Sequence, residues 1–199
     1  MNKARLKFKK LLNEYRSLTY ELEYVEFVSR TGNEEFEVYY RKYCSERDID
    51  LAELNKNNST KVDNIFNKSS TAIKKAVEEK MRKEEYDPKK IFRQIAKKFH
   101  PDLIGNDPRR TEYEEAFKNA SNAIDTGCYG KLFDIAEKYD FDLDEYDKIN
   151  AALKKDIDRI KKEVEAKKST YGFLLQECEE NTDCMDNVVK RFLKHLFNI

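Results

Sequence analysis

The sequence has no tryptophan, and only five glycines and three prolines in 199 residues. Strand-rich folds turn often and draw on glycine and proline to do so. That scarcity argues against a turn-rich β architecture. Net charge is missing too: 39 Lys and Arg balance 39 Asp and Glu. Without an overall field favouring phosphate, nucleic acid is a poor candidate partner. No apolar run approaches the roughly 20 residues that span a bilayer. The basic start, MNKARLKFKKLL, lacks the apolar core of a secretory signal. A soluble, intracellular, cytoplasmic protein is the expectation. Two histidines, neither beside a cysteine, leave no zinc pattern. Cys44, Cys128, Cys178 and Cys184 are then expected as free thiols, although Cys178 and Cys184 could pair in an oxidising compartment. A phosphate-binding glycine loop, a metal-ligand cluster and a nucleophile motif near either histidine are all absent, so neither enzymatic activity nor a cofactor is expected.

What the chain does have is charge in helical register. Charged residues make up 39%, against about 25% in an average globular protein. Apolar residues recur at steps of three and four, which is the helical period. The fold class expected is all-α, with a thin core spread along helix seams. The 24 Phe and Tyr residues are expected to do much of the burying.

The organising stretch is DPKKIFRQIAKKFHPD, Asp87 to Asp102. Asp87 suits an N-cap and Pro88 the first helical position. Ile91, Phe92, Ile95, Ala96 and Phe99 form one apolar face. Lys89, Lys90, Arg93, Lys97 and Lys98 cover the remainder, and no acid interrupts them. Pro101 disfavours a helical His100, so the helix should stop there. Asp107-Pro108 repeats the same start, and Tyr113, Ala116, Phe117, Ala120, Ala123 and Ile124 make a second stripe. Two such helices joined by a short loop should pack antiparallel, with His100-Pro101-Asp102 exposed at the connection.

This arrangement resembles the J-domain, the DnaJ-type cochaperone module. The resemblance covers about 40 residues, Asp87 to roughly Thr126. The whole layout looks most like the small J-domain-like proteins of phages and other large DNA viruses. It departs from the usual pattern upstream, where Lys74 to Tyr86 carries no Leu-Gly-Val turn, and at Gln94, where many J-domains have a basic residue. The resemblance implies a partner, the ATPase domain of a DnaK-type chaperone of the heat-shock 70 family, and a role in stimulating its ATP hydrolysis. It implies that His100, Pro101 and Asp102 touch that partner and that Lys89, Lys90, Arg93, Lys97 and Lys98 steer the approach. The alternative is a viral structural or assembly protein that uses a J-like hairpin as a scaffold without stimulating an ATPase. A viral origin would place the protein in the host cytoplasm or the virion.

The flanks are expected to be coiled-coil-type helices. Leu11, Tyr15, Leu18, Leu22 and Val25 form one seam in a helix over residues 4 to 30. Thr31-Gly32-Asn33 should break it before a second helix from Glu34. Ile149, Leu153, Ile157, Ile160 and Val164 form another seam. The two seams could pair within one chain as an antiparallel stalk, which is the preferred arrangement, or between chains in a homodimer. Three regions follow: a coiled-coil region over 1–61, ending in a polar linker, Asn55 to Lys61; a J-like region over 62–126, with its hairpin at 87–126; and a helical region over 127–199. Asp140, Asp142 and Asp144 start like a calcium loop, but Glu145 and Ala151 fall where glycine and glutamate are required, and an acidic helix start is the better reading. The tail from Met185 is amphipathic and is expected to close the core, with a membrane surface or a partner protein as the alternatives.

Overall fold

In the computed structural model, which describes residues 3–56 and 86–199, every regular element is helical. In chain order these are α1 (Lys3–Ser45), α2 (Lys89–Phe99), α3 (Pro101–Ile104), α4 (Arg110–Thr126), α5 (Gly130–Lys138), α6 (Tyr146–Lys168), α7 (Tyr171–Gln176) and α8 (Thr182–Phe197). Residues 51–56 are also helical, capped by Asp50, whose carboxylate accepts from the amides of Ala52 and Glu53. That turn takes in the first two residues of the expected linker. The rest of the linker, and the helix expected between Val62 and Tyr86 apart from Tyr86 itself, lie outside the described residues. Among the described residues no helix is long and apolar enough to cross a membrane.

Contacts divide the chain into two compact units. Of the described residues, one unit holds 3–20 and 86–162, and the other holds 21–56 and 163–199. Each unit therefore draws on both α1 and α6.

The first unit is built on the hairpin of α2 and α4. The caps work as their spacing suggests: Asp87 Oδ1 accepts from the Lys89 amide at 3.0 Å, and Asp107 Oδ1 from the Arg109 amide at 2.7 Å. Ring pairs set the direction of packing. Phe92 lies against Phe117 and Phe99 against Tyr113, with centroids 6.0 and 4.5 Å apart. One helix thus ascends as the other descends. Gly127 ends α4 with a left-handed φ of 68°, which costs glycine little. The chain then returns as α5, which lays Lys138 and Tyr139 against Glu112 at the start of α4. A buried carboxylate holds the start of α5, since Asp156 Oδ2 accepts from the Gly130 amide at 2.6 Å. Negative charge is favourable at a helix N-terminus. It also holds the phenol of the neighbouring Tyr15, already desolvated by burial, at a raised pKa of about 12.

The α6 seam is buried as expected, with Ile149, Leu153, Ile157, Ile160 and Val164 all in the core. The seam on α1 is rotated from its expected position. Tyr15 and Val25 are buried as expected, but so are Phe8 and Leu12, which were not placed in the seam, while Leu11, Leu18 and Leu22 are only partly covered. The pairing is within the chain, but the helices run parallel, not antiparallel. In the first unit Asn150 Nδ2 donates to the Ala4 carbonyl at 3.0 Å and Lys161 pairs with Glu14 at 2.6 Å. Residue numbers rise together on both helices there. In the second unit Lys168 pairs with Glu21 at 2.6 Å. An antiparallel pairing is the rule only for helices joined by short loops; here about 100 residues intervene, enough for the chain to return to its starting end.

The second unit corrects two further expectations. α1 does not break at Thr31-Gly32-Asn33 but continues unbroken to Ser45. Gly32 faces the backbone of Gly172, and a Cβ built on it would lie 2.2 Å from the Gly172 carbonyl oxygen. The glycine is thus a point of close approach and not a stop. Beyond it Phe36, Tyr40, Tyr43 and Cys44 pack with Leu175, Val188, Val189 and Leu193. The tail helix α8 therefore closes a core, with Phe192 edge-on to Phe36 and Tyr40 at 5.0 and 4.9 Å.

The other correction concerns the cysteines. Cys178 and Cys184 form a disulfide with a Cα–Cα distance of 5.5 Å, leaving Cys44 and Cys128 free. The bridge ties the end of α7 to the start of α8. A loop this short gives about 2 kcal/mol through the unfolded state. Urea unfolding should show that loss in the double variant Cys178→Ala, Cys184→Ala. A reducing agent should lower the midpoint of the native protein by a similar amount and leave the variant where it is.

Candidate functional site: the hairpin tip and its basic helix

The tip is made by two helices that meet at one residue. His100 is the last cap of α2, its amide bonding to the Ala96 carbonyl, and the first cap of α3. Its backbone is extended, at φ −62° and ψ 133°, as a residue before proline prefers. Pro101 opens α3, where its missing amide hydrogen costs nothing. His100 Nδ1 accepts from the Asp102 amide at 3.3 Å. In that arrangement Nδ1 carries no proton, so the neutral ring holds its hydrogen on Nε2. The ring also stands edge-on to Phe117, 5.2 Å between centroids, so its plane is fixed from below.

Asp102 is left open. Its side chain is 86% exposed, and its Oδ2 lies 3.6 Å from His100 Nδ1. Beside it Leu103 is 67% exposed. An apolar side chain held at a loop tip gives a partner something to bury, and the sequence reading did not single it out. The signal available was only its place immediately after His100-Pro101-Asp102.

The five basic residues do not act as one surface. Lys89, Arg93 and Lys97 recur at steps of four, are exposed, and have no ion pair among the described residues. Lys90 and Lys98 belong to a second row, with Gln94 between them. Against that row lie residues 141–145, a strap without regular structure between α5 and α6. Lys98 Nζ lies 5.2 Å from the Phe141 ring centroid, Gln94 Nε2 donates to the Asp142 carbonyl at 3.3 Å, and Lys90 pairs with Asp144. The hydrogen bond to Asp144 is the main reason the Lys90 ammonium is held above its ordinary pKa. The strap is bracketed by Asp140 and Glu145, both with left-handed φ, at 55° and 53°. Such residues are strained relative to glycine, and the pair turns the chain at either end of the strap.

Lys89, Arg93 and Lys97 thus form one exposed row along α2 toward His100, Pro101 and Asp102, while Lys90 and Lys98, also exposed, lie on the side that faces Phe141 and Asp144. Asp142 and Asp144, which the sequence suggested only as a failed calcium loop, belong to the strap. Among the described residues no group of three or more His, Cys, Asp or Glu could hold a metal ion. The chain matches no family model, no curated protein and no solved structure.

Proposed function

We propose that this chain is a J-domain-like cochaperone whose tip engages the ATPase domain of a DnaK-type chaperone and stimulates ATP hydrolysis there. The observation that carries the reading is the open tip. Asp102 is exposed beside a proline-fixed turn, at the end of a row of Lys89, Arg93 and Lys97 that has no ion pair among the described residues. Pro101 reduces what the loop must lose in freedom on binding. The Asp102 carboxylate suits a bidentate arginine contact. The basic row steers the helix onto an acidic surface. The chemistry belongs to the partner, and this chain biases the partner's conformational equilibrium by binding one state more tightly.

A second reading, an assembly protein that uses the hairpin as a scaffold, is favoured by the strap. Gln94, Lys90 and Lys98 contact the chain's own Asp142, Asp144 and Phe141, so one side of the basic helix is engaged within the chain.

Single-turnover ATP hydrolysis by a DnaK-type chaperone separates the two. The cochaperone reading expects stimulation by the native chain that is lost in His100→Gln and in Asp102→Asn. It also expects Arg93→Ala or Lys97→Ala to weaken stimulation by about tenfold, with Lys90→Ala having little effect. Absence of stimulation, or equal stimulation by the tip variants, leaves the scaffold reading.

A further inference from the structure

In the second unit, α1 presents an exposed apolar face. Tyr24, Phe27 and Val38 are 61%, 62% and 71% exposed. These are large apolar side chains that a solvated helix face ordinarily lacks. At about 100° per residue, they and Thr31 fall within roughly 60° of one another, far around the helix from the buried Val25, Gly32 and Phe36. They share one side of the helix, with the polar Thr31 between Phe27 and Val38, and nothing among the described residues covers them. Beside Phe27 the surface dips into a groove of about 380 Å³ lined by Glu23, Glu26, Phe27, Arg30 and Lys167.

Charge says what kind of partner fits. From Glu21 to Val38 the helix carries six glutamates and one arginine, in a protein whose net charge is zero. Glu21, Glu26 and Glu37 have internal partners in Lys168, Lys167 and Arg41. Glu23 and Glu34, which flank that side of the helix, have no ion pair among the described residues. The one arginine, Arg30, sits over the Phe27 ring at 6.0 Å.

A second copy of this chain is a poor occupant. Laid parallel and in register, it would set Glu34 against Glu34. Like charges so placed oppose association. An anionic membrane is opposed by the same glutamates.

We infer that this face docks a basic amphipathic helix of another protein, whose apolar side chains cover Tyr24, Phe27 and Val38 and whose lysines or arginines meet Glu23 and Glu34. Helix-in-groove recognition of this kind reads anchors at steps of three and four. A cation over the exposed Tyr24 ring adds to the attraction. The inference is independent of the hairpin tip.

The test uses the full chain and a fluorescent peptide of about 18 residues built from leucine and lysine on opposite helix faces, with a second peptide carrying glutamate in place of lysine. Anisotropy should show the lysine peptide binding the native chain and the glutamate peptide failing to bind. Two double variants, Tyr24→Ser with Phe27→Ser, and Glu23→Lys with Glu34→Lys, should each weaken the lysine peptide by about tenfold or more. The charge-reversed variant should gain binding of the glutamate peptide. Glu163→Lys, on another helix, should change nothing. All substituted residues are exposed, so each variant should keep the native circular dichroism. Equal affinity for the native chain and both double variants overturns the proposal, as does failure of the lysine peptide to bind. A dimer by sedimentation that Tyr24→Ser with Phe27→Ser dissociates would also overturn it, by assigning the face to a second copy.

Discussion

Phe99→Ala is expected to lower stability by about 3–5 kcal/mol, the range for truncating a fully enclosed aromatic residue. Phe99 has no exposed surface. Its ring stacks on Tyr113 at 4.5 Å and meets Tyr139 and Phe141 edge-on at 4.6 and 5.5 Å. Those three rings come from α4, from the end of α5 and from the strap, so one side chain ties four segments of the first unit together. Removing it leaves a cavity walled by rings that cannot all collapse inward. Phe99 is also the residue before His100. Its loss should therefore loosen the tip more than a cavity elsewhere, and amide exchange over residues 100–104 should accelerate. Urea unfolding gives the energy and exchange gives the location. Phe99→Leu keeps most of the volume and should cost about 1–2 kcal/mol. A Phe99→Ala variant as stable as the native chain would mean that the ring cluster does not hold the hairpin.

The hairpin was legible because each part of it is local. Asp87-Pro88 and Asp107-Pro108 start helices, Pro101 stops one, and a stripe at helical spacing shows which face is buried. None of this needs knowledge of distant residues. The α6 seam was legible for the same reason. What could not be read depended on partners far along the chain. Lys89 and Lys90 are neighbours of one type in one helix, yet one is open and the other is paired with Asp144, 54 positions away. Nothing near Lys90 records that. The direction of the α1–α6 pairing was misread because a seam fixes a face, not an orientation. The rotation of the α1 seam has a related cause: Phe8, Leu11, Leu12, Tyr15 and Leu18 satisfy two overlapping stripes, and only the opposing helix selects between them.

Gly32 was misread most instructively, and it gives the second large effect. In an isolated helix Gly32→Ala should be stabilising by about 1 kcal/mol, since alanine is the best helix former and glycine among the worst. Here the sign is expected to reverse, to a loss of about 3 kcal/mol. The new Cβ would sit 2.2 Å from the Gly172 carbonyl oxygen and 2.7 Å from its carbonyl carbon. Those are backbone atoms and cannot rotate aside as a side chain could, so α7 must move away from α1. The contact is reciprocal. A Cβ on Gly172 would lie 2.2 Å from Asn33 Oδ1 and 2.6 Å from the Asn33 amide nitrogen. Gly172→Ala should therefore also destabilise, somewhat less where the Asn33 side chain can turn. The double variant should cost less than the sum of the two, because the first substitution already opens the crossing that the second would need opened. Urea unfolding of the two single variants and the double variant measures that coupling. A stabilising Gly32→Ala would show that helix propensity governs the position, and with it that α1 and α7 do not meet at their glycines.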